Sequence, residues 1–476
     1  MRVVLHADAS PTMGTGHVMR SLALATALKR QGHEATLAFA EIIEALRTRA
    51  DALGIPVVER DHAPRDADWI VVDGYHLDAV ARADLAELVV PRLVVDDLGT
   101  KCGDAAIVLN QNLYATPAGP SHARREGELL AGPSYALLGP ELTDVDPERL
   151  QPPIADRILV TMGGADPNDA TSAVVDALTG LAGTPIVRVL LGAAHPTPGA
   201  VQARADASGF EVVRDAPSLA PHLEWSELVV SACGSSVLEV ARFGRPLVGV
   251  VLADNQQAVA SAAQREGLGV VVGRHPTLEG AALARTVDAM RTDASFRALA
   301  AKRGPELVDG RGAERVAHIL RTGPLALRPA TMDDADRLLA WRTDPAARAA
   351  SFDRRPIERD SHVAWLAERL DSPDSPIWIG LLAEEPVGVV RFALERGIAT
   401  IGVAMDAHRR AAGLGTRLIS LGTARVAADT DVRTVDAWVR RENRASEIAF
   451  QRAGYRLERD DLPDRRLYRL SLGPMG

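Results

Sequence analysis

The sequence contains little cysteine and few aromatic residues. Two cysteines, Cys102 and Cys233, lie far apart among 476 residues, and Phe, Trp and Tyr make up only 4% of the chain. Two distant cysteines argue against a disulfide framework and against a paired-cysteine metal site, and they fit a reducing compartment. Because aromatic residues are scarce, we expect Ala, Leu and Val to fill the hydrophobic cores.

An excess of basic residues and long apolar segments are also missing. The net charge is −9, which argues against a nucleic-acid-binding protein, whose footprint is normally a basic patch. No uncharged apolar run approaches the ~18 residues that indicate a membrane-spanning helix. The apolar run at the N-terminus ends at Asp8, too early for a signal peptide. We therefore expect a cytoplasmic protein that neither spans a membrane nor binds nucleic acid.

What is present is a long alternation of short apolar strands and helical patterns. Strand-like runs such as RVVLHAD, EATLAFA and WIVVDGY occupy residues 1–145, and a polar, proline-containing linker covers 141–156. The alternation then restarts over residues 155–322 with RILVTMGG, IVRVLLG and LVVSAC. Strands that alternate with helices predict parallel sheets covered on both faces. We therefore predict two consecutive α/β domains of Rossmann type.

The pattern changes at residue 324. Thr331 and Asp334 have the spacing of a helix-capping box. The segments IWIGLLAEEPVGVVRFALE and IATIGVAMD read as antiparallel strands joined by tight turns. Residues 324–476 are therefore predicted to form a separate α+β domain.

The segment Gly14-Thr15-Gly16-His17 follows a strand and opens a helix. The free N–H groups and the dipole of a helix start favour an anion there. A dinucleotide fingerprint requires a further glycine where Met19 stands, so that motif is incomplete. The positive end of the helix favours a neutral imidazole on His17, which can act as a general base. Local sequence alone fits a packed, structurally bonded histidine equally well.

The second α/β segment carries further polar motifs at predicted strand ends. A Gly-Ser-Ser turn can cradle a diphosphate, and Glu239, one turn later, offers two acceptor oxygens to a ribose diol. A Gly-Gly pair allows a close approach of backbone to ligand. Taken singly, these residues also fit helix caps and ordinary turns. The candidate residues for UDP-sugar binding are Gly14, Gly16, Gly163, Gly164, Gly234, Ser235, Ser236, Glu239 and Gln256.

Together the two α/β segments resemble the GT-B glycosyltransferase architecture, including its UDP-binding domain. The motifs DASPTMGTGHVMRSLALA, VDGYHLD, VVDD and ILVTMGGADPNDAT closely resemble the UDP-sugar hydrolases of pseudaminic acid biosynthesis over residues 1–320. That resemblance implies metal-independent, inverting hydrolysis of UDP-2,4-diacetamido-2,4,6-trideoxy-β-L-altropyranose. It also implies that His17 positions or deprotonates water, that Tyr75 lines the sugar site, and that Asn255 holds the substrate near its phosphates.

The C-terminal segment VAMDAHRRAAGLGTRLI, followed by RRENRASEIAFQRAGYRL, resembles the GNAT acetyltransferases over about 324–474. The resemblance implies acetyl-CoA as co-substrate, a pyrophosphate loop at a helix start, and an oxyanion hole on the strand IGVAM. Phe450 stands where many relatives have a tyrosine acid, so Tyr455, water or another group becomes the alternative acid. Asp436, Glu442 and His408 are candidate bases. The implied acetyl-CoA residues are Val403, Met405, Arg410, Gly413, Gly415, Thr416, Asn443 and Ser446.

These features predict a bifunctional enzyme of pseudaminic acid biosynthesis that acts on small UDP-amino sugars. The GNAT domain would acetylate the 4-amino group of a UDP-amino sugar, and the GT-B-like domains would then release UDP. Three alternatives remain open from sequence. They are a UDP-sugar glycosyltransferase with a fused acetyltransferase, an enzyme of a related nonulosonic acid or spore-coat polysaccharide pathway, and a non-catalytic UDP-sugar-binding module.

Overall fold

The computed structural model describes residues 1–10, 13–74, 90–99, 105–119, 127–143, 145, 151–192 and 194–472. The chain forms two compact units that do not follow simple chain order. Unit 1 comprises Met1–Leu98, Gln111–Tyr114 and Pro133–His318, and unit 2 comprises Gly99–Asn110, Ala115–Gly132 and Ile319–Gly476.

The strands and helices are numbered in chain order. The strands are β1 (Arg2–Ala7), β2 (Glu34–Phe39), β3 (Val57–Glu59), β4 (Trp69–Asp73), β5 (Arg92–Val95), β6 (Ile107–Asn110), β7 (Glu128–Ala131), β8 (Arg157–Thr161), β9 (Ile186–Leu191), β10 (Glu211–Arg214), β11 (Leu228–Ala232), β12 (Leu247–Val251), β13 (Gly269–Arg274), β14 (Leu325–Pro329), β15 (Ile377–Leu382), β16 (Glu385–Glu395), β17 (Ile398–Met405), β18 (Thr434–Arg440), β19 (Arg456–Arg459) and β20 (Arg465–Ser471). The helices are α1 (Gly16–Arg30), α2 (Glu44–Leu53), α3 (Ala170–Leu178), α4 (Pro198–Ala207), α5 (Ala220–Trp225), α6 (Ser236–Arg242), α7 (Gln257–Arg265), α8 (Gly280–Thr292), α9 (Ala294–Leu307), α10 (Gly312–Thr322), α11 (Ala335–Thr343), α12 (Pro345–Ala350), α13 (Arg359–Leu370), α14 (Leu414–Asp429) and α15 (Arg444–Arg452).

The first sheet of unit 1 is parallel, as the alternating pattern predicts. Its strands pair in the order β3-β2-β1-β4-β5. The apolar residues of β1 and β4 are buried along almost their whole length. Helix α1 begins just after Gly14, whose φ of +81° turns the chain from β1 into the helix. It ends before Gly32, whose φ of +79° is typical of the residue after a helix.

The second sheet of unit 1 is also parallel, in the order β10-β9-β8-β11-β12-β13. Alternate residues of its strands enter two apolar cores, one on each face. Val160 and Val230 lie in the first core, whereas Leu159 and Val229 lie in the second. In both sheets the strand order reverses beside the first strand, between β1 and β4 and between β8 and β11. Open α/β sheets bind ligands at the carboxyl ends of such strands.

Unit 2 is built on a mixed sheet in the order β14-β15-β16-β17-β18-β20-β19. Its neighbouring strands are antiparallel except for the parallel pair β17 and β18. Helices α14 and α15 pack on one apolar face of this sheet, and α11 and α13 pack on the other. The predicted capping box of Thr331 and Asp334 is present. The same unit also contains the parallel pair β6 and β7. Within the described ranges, no helix combines the length and apolarity needed to cross a bilayer.

Candidate functional site

His17 and Asp73 meet at the reversal point of the first sheet. His17 lies in the first turn of α1, and Asp73 is the last residue of β4. Because β1 and β4 are parallel neighbours, the helix start that follows β1 lies above the end of β4. The Nδ1 atom of His17 is 2.7 Å from Oδ1 of Asp73.

Arg20, one turn further along α1, holds this carboxylate in place. Its Nε and Nη2 atoms donate to the two oxygens of Asp73, each at 2.6 Å, and its Nη1 donates to Asp97 Oδ2 at 2.8 Å. Burial alone would raise the pKa of Asp73, but the charges and hydrogen bonds of Arg20 and His17 outweigh it and lower that pKa. Asp73 is therefore an anion that lies entirely out of solvent.

The ionised Asp73 determines which nitrogen of His17 carries the proton. A carboxylate at 2.7 Å requires a donor, so the proton lies on Nδ1 and the lone pair lies on Nε2. The Nη2 atom of Arg20 is 3.1 Å from Nδ1 because both groups bind the same oxygen of Asp73. A histidine held in this way can accept a proton at Nε2. The carboxylate at Nδ1 then stabilises the positive charge of the imidazolium.

Asp73, Arg20 and Asp97 are functional candidates that the motif analysis did not single out. Asp73 is the last residue of β4 in the segment VDGY, and Asp97 lies two residues after the end of β5 in the segment VVDD. An aspartate at the carboxyl end of a buried parallel strand is the signal that identifies them. The side-chain amide of Asn112 donates to Asp97 at 2.9 Å and fixes it further. Tyr75, predicted to line the sugar site, lies outside the described residues.

The glycine turns of the two sheets of unit 1 face one another across a narrow gap. A Cβ atom on Gly16 would lie 3.5 Å from Ser235 Oγ, and one on Gly164 would collide with the side chain of Thr15. The loops after β1, β8 and β11 therefore lie close together at Gly16 and Gly164. Ligand binding by Gly14, Gly16, Gly163, Gly164 and Gly234 stays a prediction. The N–H group of Gly14 donates to the carbonyl of Ser10 at 2.8 Å. Glycine turns at helix starts commonly bind phosphate groups.

The other residues predicted for UDP binding take different positions around this gap. Ser236 Oγ lies 3.2 Å from Ser231 Oγ at the start of α6. Gln256 accepts from the main-chain N–H of Leu252 at 2.9 Å, so its amide braces the loop after β12. Asn255 lies on the exposed turn beside it.

Glu239 lines a cavity in unit 1 together with Gly16, Ser235, Arg49 and Glu141. Burial and the negative charge of Glu141 raise the pKa of Glu239 to about 7, and the Arg49 guanidinium partly offsets this. Arg49 is bound instead to Glu141, at 2.7 Å. Glu239 therefore changes its charge near neutral pH, at the edge of the glycine loops.

Asp166, Asp169 and His195 form an acidic and imidazole cluster beside the Gly163-Gly164 turn. Their ligand atoms lie within 4.8 Å of one another. However, the main-chain N–H of Thr197 donates to His195 Nδ1 at 3.2 Å, which places the ring proton on Nε2. That proton faces Asp166 Oδ2 at 3.5 Å. Asp166 also accepts from the main-chain N–H groups of Ala170 and Thr171, so it holds the start of helix α3.

In unit 2, strands β17 and β18 diverge. They pair only from Ile398 to Thr400 on β17 and from Thr434 to Asp436 on β18. Strand β17 nevertheless continues to Met405, and β18 to Arg440. A wedge opens between them beyond the last pair. The main-chain edge of β17 that includes Val403 and Met405 therefore borders this wedge without a neighbouring strand.

The loop that follows β17 leads into the start of α14. Ala411 and Gly413 both have positive φ, +64° and +75°, and α14 begins at Leu414. Such a turn directs successive N–H groups, including the free donors of the first helical turn with Gly415 and Thr416, toward one point. Helix starts of this kind commonly bind anions. Arg410, in contrast, is bound to Asp344 at 2.6 Å and braces the loop.

Comparison with known proteins concerns mainly this second unit. Residues 325–456 match the family model for the acetyltransferase (GNAT) domain.

Residues 325–456 are a GNAT acetyltransferase domain.

An uncharacterized protein of Methanocaldococcus jannaschii is 22% identical over 406 residues, which cover 81% of this chain and 81% of its own length. That similarity extends well beyond the segment matched by the GNAT model. Among solved structures, a domain from Methanocaldococcus jannaschii is 21% identical and covers 31% of this chain and 98% of its own, with a TM-score of 0.29. An N-acetyltransferase from Staphylococcus aureus Mu50 is 19% identical over 31% of this chain and 98% of its own, with a TM-score of 0.28.

Within the GNAT domain, Asn443 caps helix α15. Its side-chain oxygen accepts from the main-chain N–H of Ser446 at 3.2 Å. The Asn-x-x-Ser pattern therefore has a local structural role, which the sequence resemblance did not reveal.

Tyr455 and Asp436, two of the candidate acid and base side chains of the GNAT domain, form hydrogen bonds with other side chains of the same unit. The hydroxyl of Tyr455 is 2.7 Å from Thr423 Oγ1 in the core, and burial raises its pKa. Phe450 packs against its ring with an edge-to-face contact. Asp436 accepts two hydrogen bonds from Arg469, at 2.6 and 2.8 Å. Glu442 and His408 lie on the surface. Tyr455 is thus a core residue, and water is the better proton source of the two.

Proposed function

We propose that this chain is a bifunctional enzyme that acts on UDP-linked amino sugars. Unit 1 hydrolyses UDP-2,4-diacetamido-2,4,6-trideoxy-β-L-altropyranose to UDP and the free sugar, with inversion at the anomeric carbon. The GNAT domain transfers an acetyl group from acetyl-CoA to the 4-amino group of the precursor UDP-amino sugar. The two reactions are chemically consecutive, because the acetamido group that the GNAT domain makes is present in the substrate that unit 1 hydrolyses.

The observation that carries the hydrolase proposal is the oriented pair of His17 and Asp73 beside facing glycine loops. Nε2 of His17 takes a proton from water as the water oxygen bonds to the anomeric carbon. The bond from that carbon to the diphosphate oxygen breaks, and UDP leaves with the electron pair. The ionised Asp73 stabilises the imidazolium, which afterwards loses its proton to solvent. No acceptor hydroxyl and no metal take part.

The loops that face His17 are suited to hold the leaving group. Main-chain N–H groups beside Gly163, Gly164 and Gly234 and the hydroxyls of Ser235 and Ser236 can bind the diphosphate. The carboxylate of Glu239 can accept hydrogen bonds from the ribose hydroxyls. We assign Asn255 and Gln256 to the same ligand, with Gln256 bracing the loop and Asn255 reaching the phosphates.

For acetyl transfer, the wedge between β17 and β18 is the proposed place of the thioester. The neutral amine attacks the thioester carbonyl, whose oxygen is stabilised by main-chain N–H groups near Val403 and Met405. The C–S bond breaks, water gives a proton to the CoA thiolate, and the new amide loses the proton of the amine. The loop with Gly413, Gly415 and Thr416 holds the pyrophosphate.

A group of cationic side chains supports an anionic acceptor for this domain. Arg342 and Arg391 lie over the same ring of Trp365, at 5.3 and 5.5 Å from its centre. Among the described residues neither guanidinium forms an ion pair. Burial and the charges of Arg342 and Arg369 lower the pKa of Arg391 to about 10. A diphosphate would relieve this repulsion, and a nucleotide-linked sugar supplies one.

The hydrolase is tested by UDP release from the diacetamido UDP-sugar, without acceptor or metal, in wild type and His17→Ala. We expect release by wild type and a loss of roughly 10²–10⁴-fold in the variant, the range that a general base contributes. His62→Ala is the matched control, because that histidine is exposed. UDP binding without release in wild type would contradict the hydrolase and favour a glycosyltransferase or another sugar.

The acetyltransferase acceptor is tested separately with acetyl-CoA and the UDP-4-amino sugar. Arg391→Gln should raise the KM of the UDP-sugar about tenfold and leave the KM of acetyl-CoA unchanged, because an ionic hydrogen bond to phosphate is lost. Equal rates with the free amino sugar and the UDP-sugar would overturn the anionic-acceptor proposal.

A further inference from the structure

Helix α14 of the GNAT domain is covered on all sides near its start. No residue from 414 to 424 is exposed. Leu418, Ile419 and Val426 pack into the core against the sheet. Consecutive residues of a helix point about 100° apart, so a run of this length without exposure requires a second covering element.

Strand β7 provides part of that cover through a buried ion pair. Glu128, the first residue of β7, accepts from Arg417 Nε at 2.6 Å and from Arg417 Nη2 at 2.5 Å. The two side chains are 2% and 3% exposed. Glu128 also accepts from the main-chain N–H of Leu325 at 2.7 Å, and Arg417 donates to the carbonyl of Gly323 at 2.8 Å. The pair therefore joins β7, α14 and the entry to β14.

A second contact places the same early segment against α15. A Cβ atom on Gly454 would lie 3.8 Å from Pro117 Cδ and 4.0 Å from Thr116 Cγ2. Gly454 lies two residues after the end of α15. Thr116 and Pro117 thus lie beside the end of α15, and Glu128 contacts α14, the other helix on this face of the GNAT sheet.

We propose that Glu128 is a positioning residue for the acetyl-CoA site. This proposal rests on the proposed acetyl-CoA site. Arg417 follows Thr416 directly, so it lies in the first turn of the helix whose free N–H groups hold the pyrophosphate in the proposed function. By holding the guanidinium of Arg417, Glu128 fixes where those N–H groups point. Glu128 lies 289 residues before Arg417 in the chain. Strand β7 therefore contributes to the acetyltransferase site although it is distant from it in sequence.

The test uses the full-length chain with Glu128→Gln, which keeps the shape of the side chain and removes its charge. We expect the Kd of acetyl-CoA, measured by titration calorimetry well below the melting temperature, to rise about tenfold. Asp429→Asn is the matched control, because Asp429 forms an exposed pair with Arg425 at the other end of the same helix. Its Kd should equal that of wild type.

A merely structural role would give a different result. Glu128→Gln would then lower the melting temperature while the Kd of acetyl-CoA stayed at the wild-type value, and this would overturn the proposal. If the glutamine variant does not fold, Arg417→Lys provides the test, because it keeps the charge and loses the two-pronged contact. A weaker acetyl-CoA Kd in folded Arg417→Lys supports the proposal, and an unchanged Kd overturns it.

Discussion

The two candidate sites of this chain differ in the chemical groups that form them. The site of unit 1 depends on charged side chains, with the buried anion of Asp73 held between His17 and Arg20. The site of the GNAT domain depends on main chain, with two strands that diverge and a loop of positive-φ residues. A side-chain network can be abolished by one change of charge. A main-chain site is instead sensitive to residues that alter backbone conformation.

The largest effect is expected from Asp73→Asn. The neutral amide cannot stabilise the positive charge of the imidazolium, and its NH2 group can donate to Nδ1 of His17 and move the ring proton to Nε2, so UDP release should fall by roughly 10²–10⁴-fold. The variant also leaves the buried Arg20 with one fewer counter-charge, at a cost of about 3–5 kcal/mol in the free energy of unfolding. UDP release and denaturant unfolding check the two expectations.

The pH dependence of stability provides the control for Asp73→Asn. Because the pKa of Asp73 is lowered in the folded state, its contribution is present above its unfolded pKa and is lost as pH falls through the folded value. The difference in stability between wild type and variant should therefore shrink in acid. Asp66→Asn, which removes an exposed carboxylate, should change neither activity nor stability appreciably. Full UDP release by Asp73→Asn would show that the side-chain network is not required.

Gly413→Val examines the main-chain site. A β-branched residue is strained at a φ of +75°, so we expect about 1–2 kcal/mol lower stability and a distorted loop. The Kd of acetyl-CoA should rise about tenfold, since the N–H groups no longer converge. Gly397→Val is the matched control, with a φ of +78° in the hairpin between β16 and β17. It should lower stability similarly and leave the Kd unchanged. Equal Kd values in both variants would refute the role of the loop.

Glu239 offers a smaller, pH-dependent effect in unit 1. Its pKa is raised to about 7, so protonation removes an acceptor for the ribose as pH falls from 8 to 6.5. We expect the Kd of UDP to rise over this range by up to about threefold to fivefold, because one proton is taken up near the pKa. Calorimetric titration of UDP at both pH values measures it.

Glu239→Gln is the companion variant. It should weaken UDP binding at pH 8 and remove the pH dependence. Because a raised carboxyl pKa means that ionisation disfavours the folded state, this variant should also melt at a higher temperature than wild type at pH 8. A pH profile of UDP binding that is the same in both proteins would exclude Glu239 from the ribose site.

The smallest effect is expected from Asn443→Ala. Loss of the cap on α15 should lower the free energy of unfolding by about 1 kcal/mol, and Asn443→Ser should restore it. Neither variant should change the Kd of acetyl-CoA, because the amide oxygen is bound to the main chain of its own helix. A weaker acetyl-CoA Kd at unchanged stability would instead support the contact with pantetheine that the sequence resemblance implies.

Much of the architecture could be predicted from periodicity. The buried apolar runs at β1, β4, β8 and β11 indicate parallel strands, and the Thr331 capping box was readable from spacing alone. The glycine motifs lie after these strands, as the sequence pattern predicts. Arg20 was not singled out, because within α1 it looks like an ordinary polar position, and its partners lie 53 and 77 residues away.

The sequence by itself determined where strands, helix starts and glycine turns occur, because these follow from local steric preferences and hydrophobic periodicity. It also indicated a GNAT domain in the C-terminal part of the chain, which the family model matches over residues 325–456. Only the tertiary structure decided the proton position on His17, the raised pKa of Glu239 and the pairing of Glu128 with Arg417. Each of these depends on charged groups that are far apart in the chain and that folding brings together away from water. Electrostatic interactions between them are much stronger there than in water.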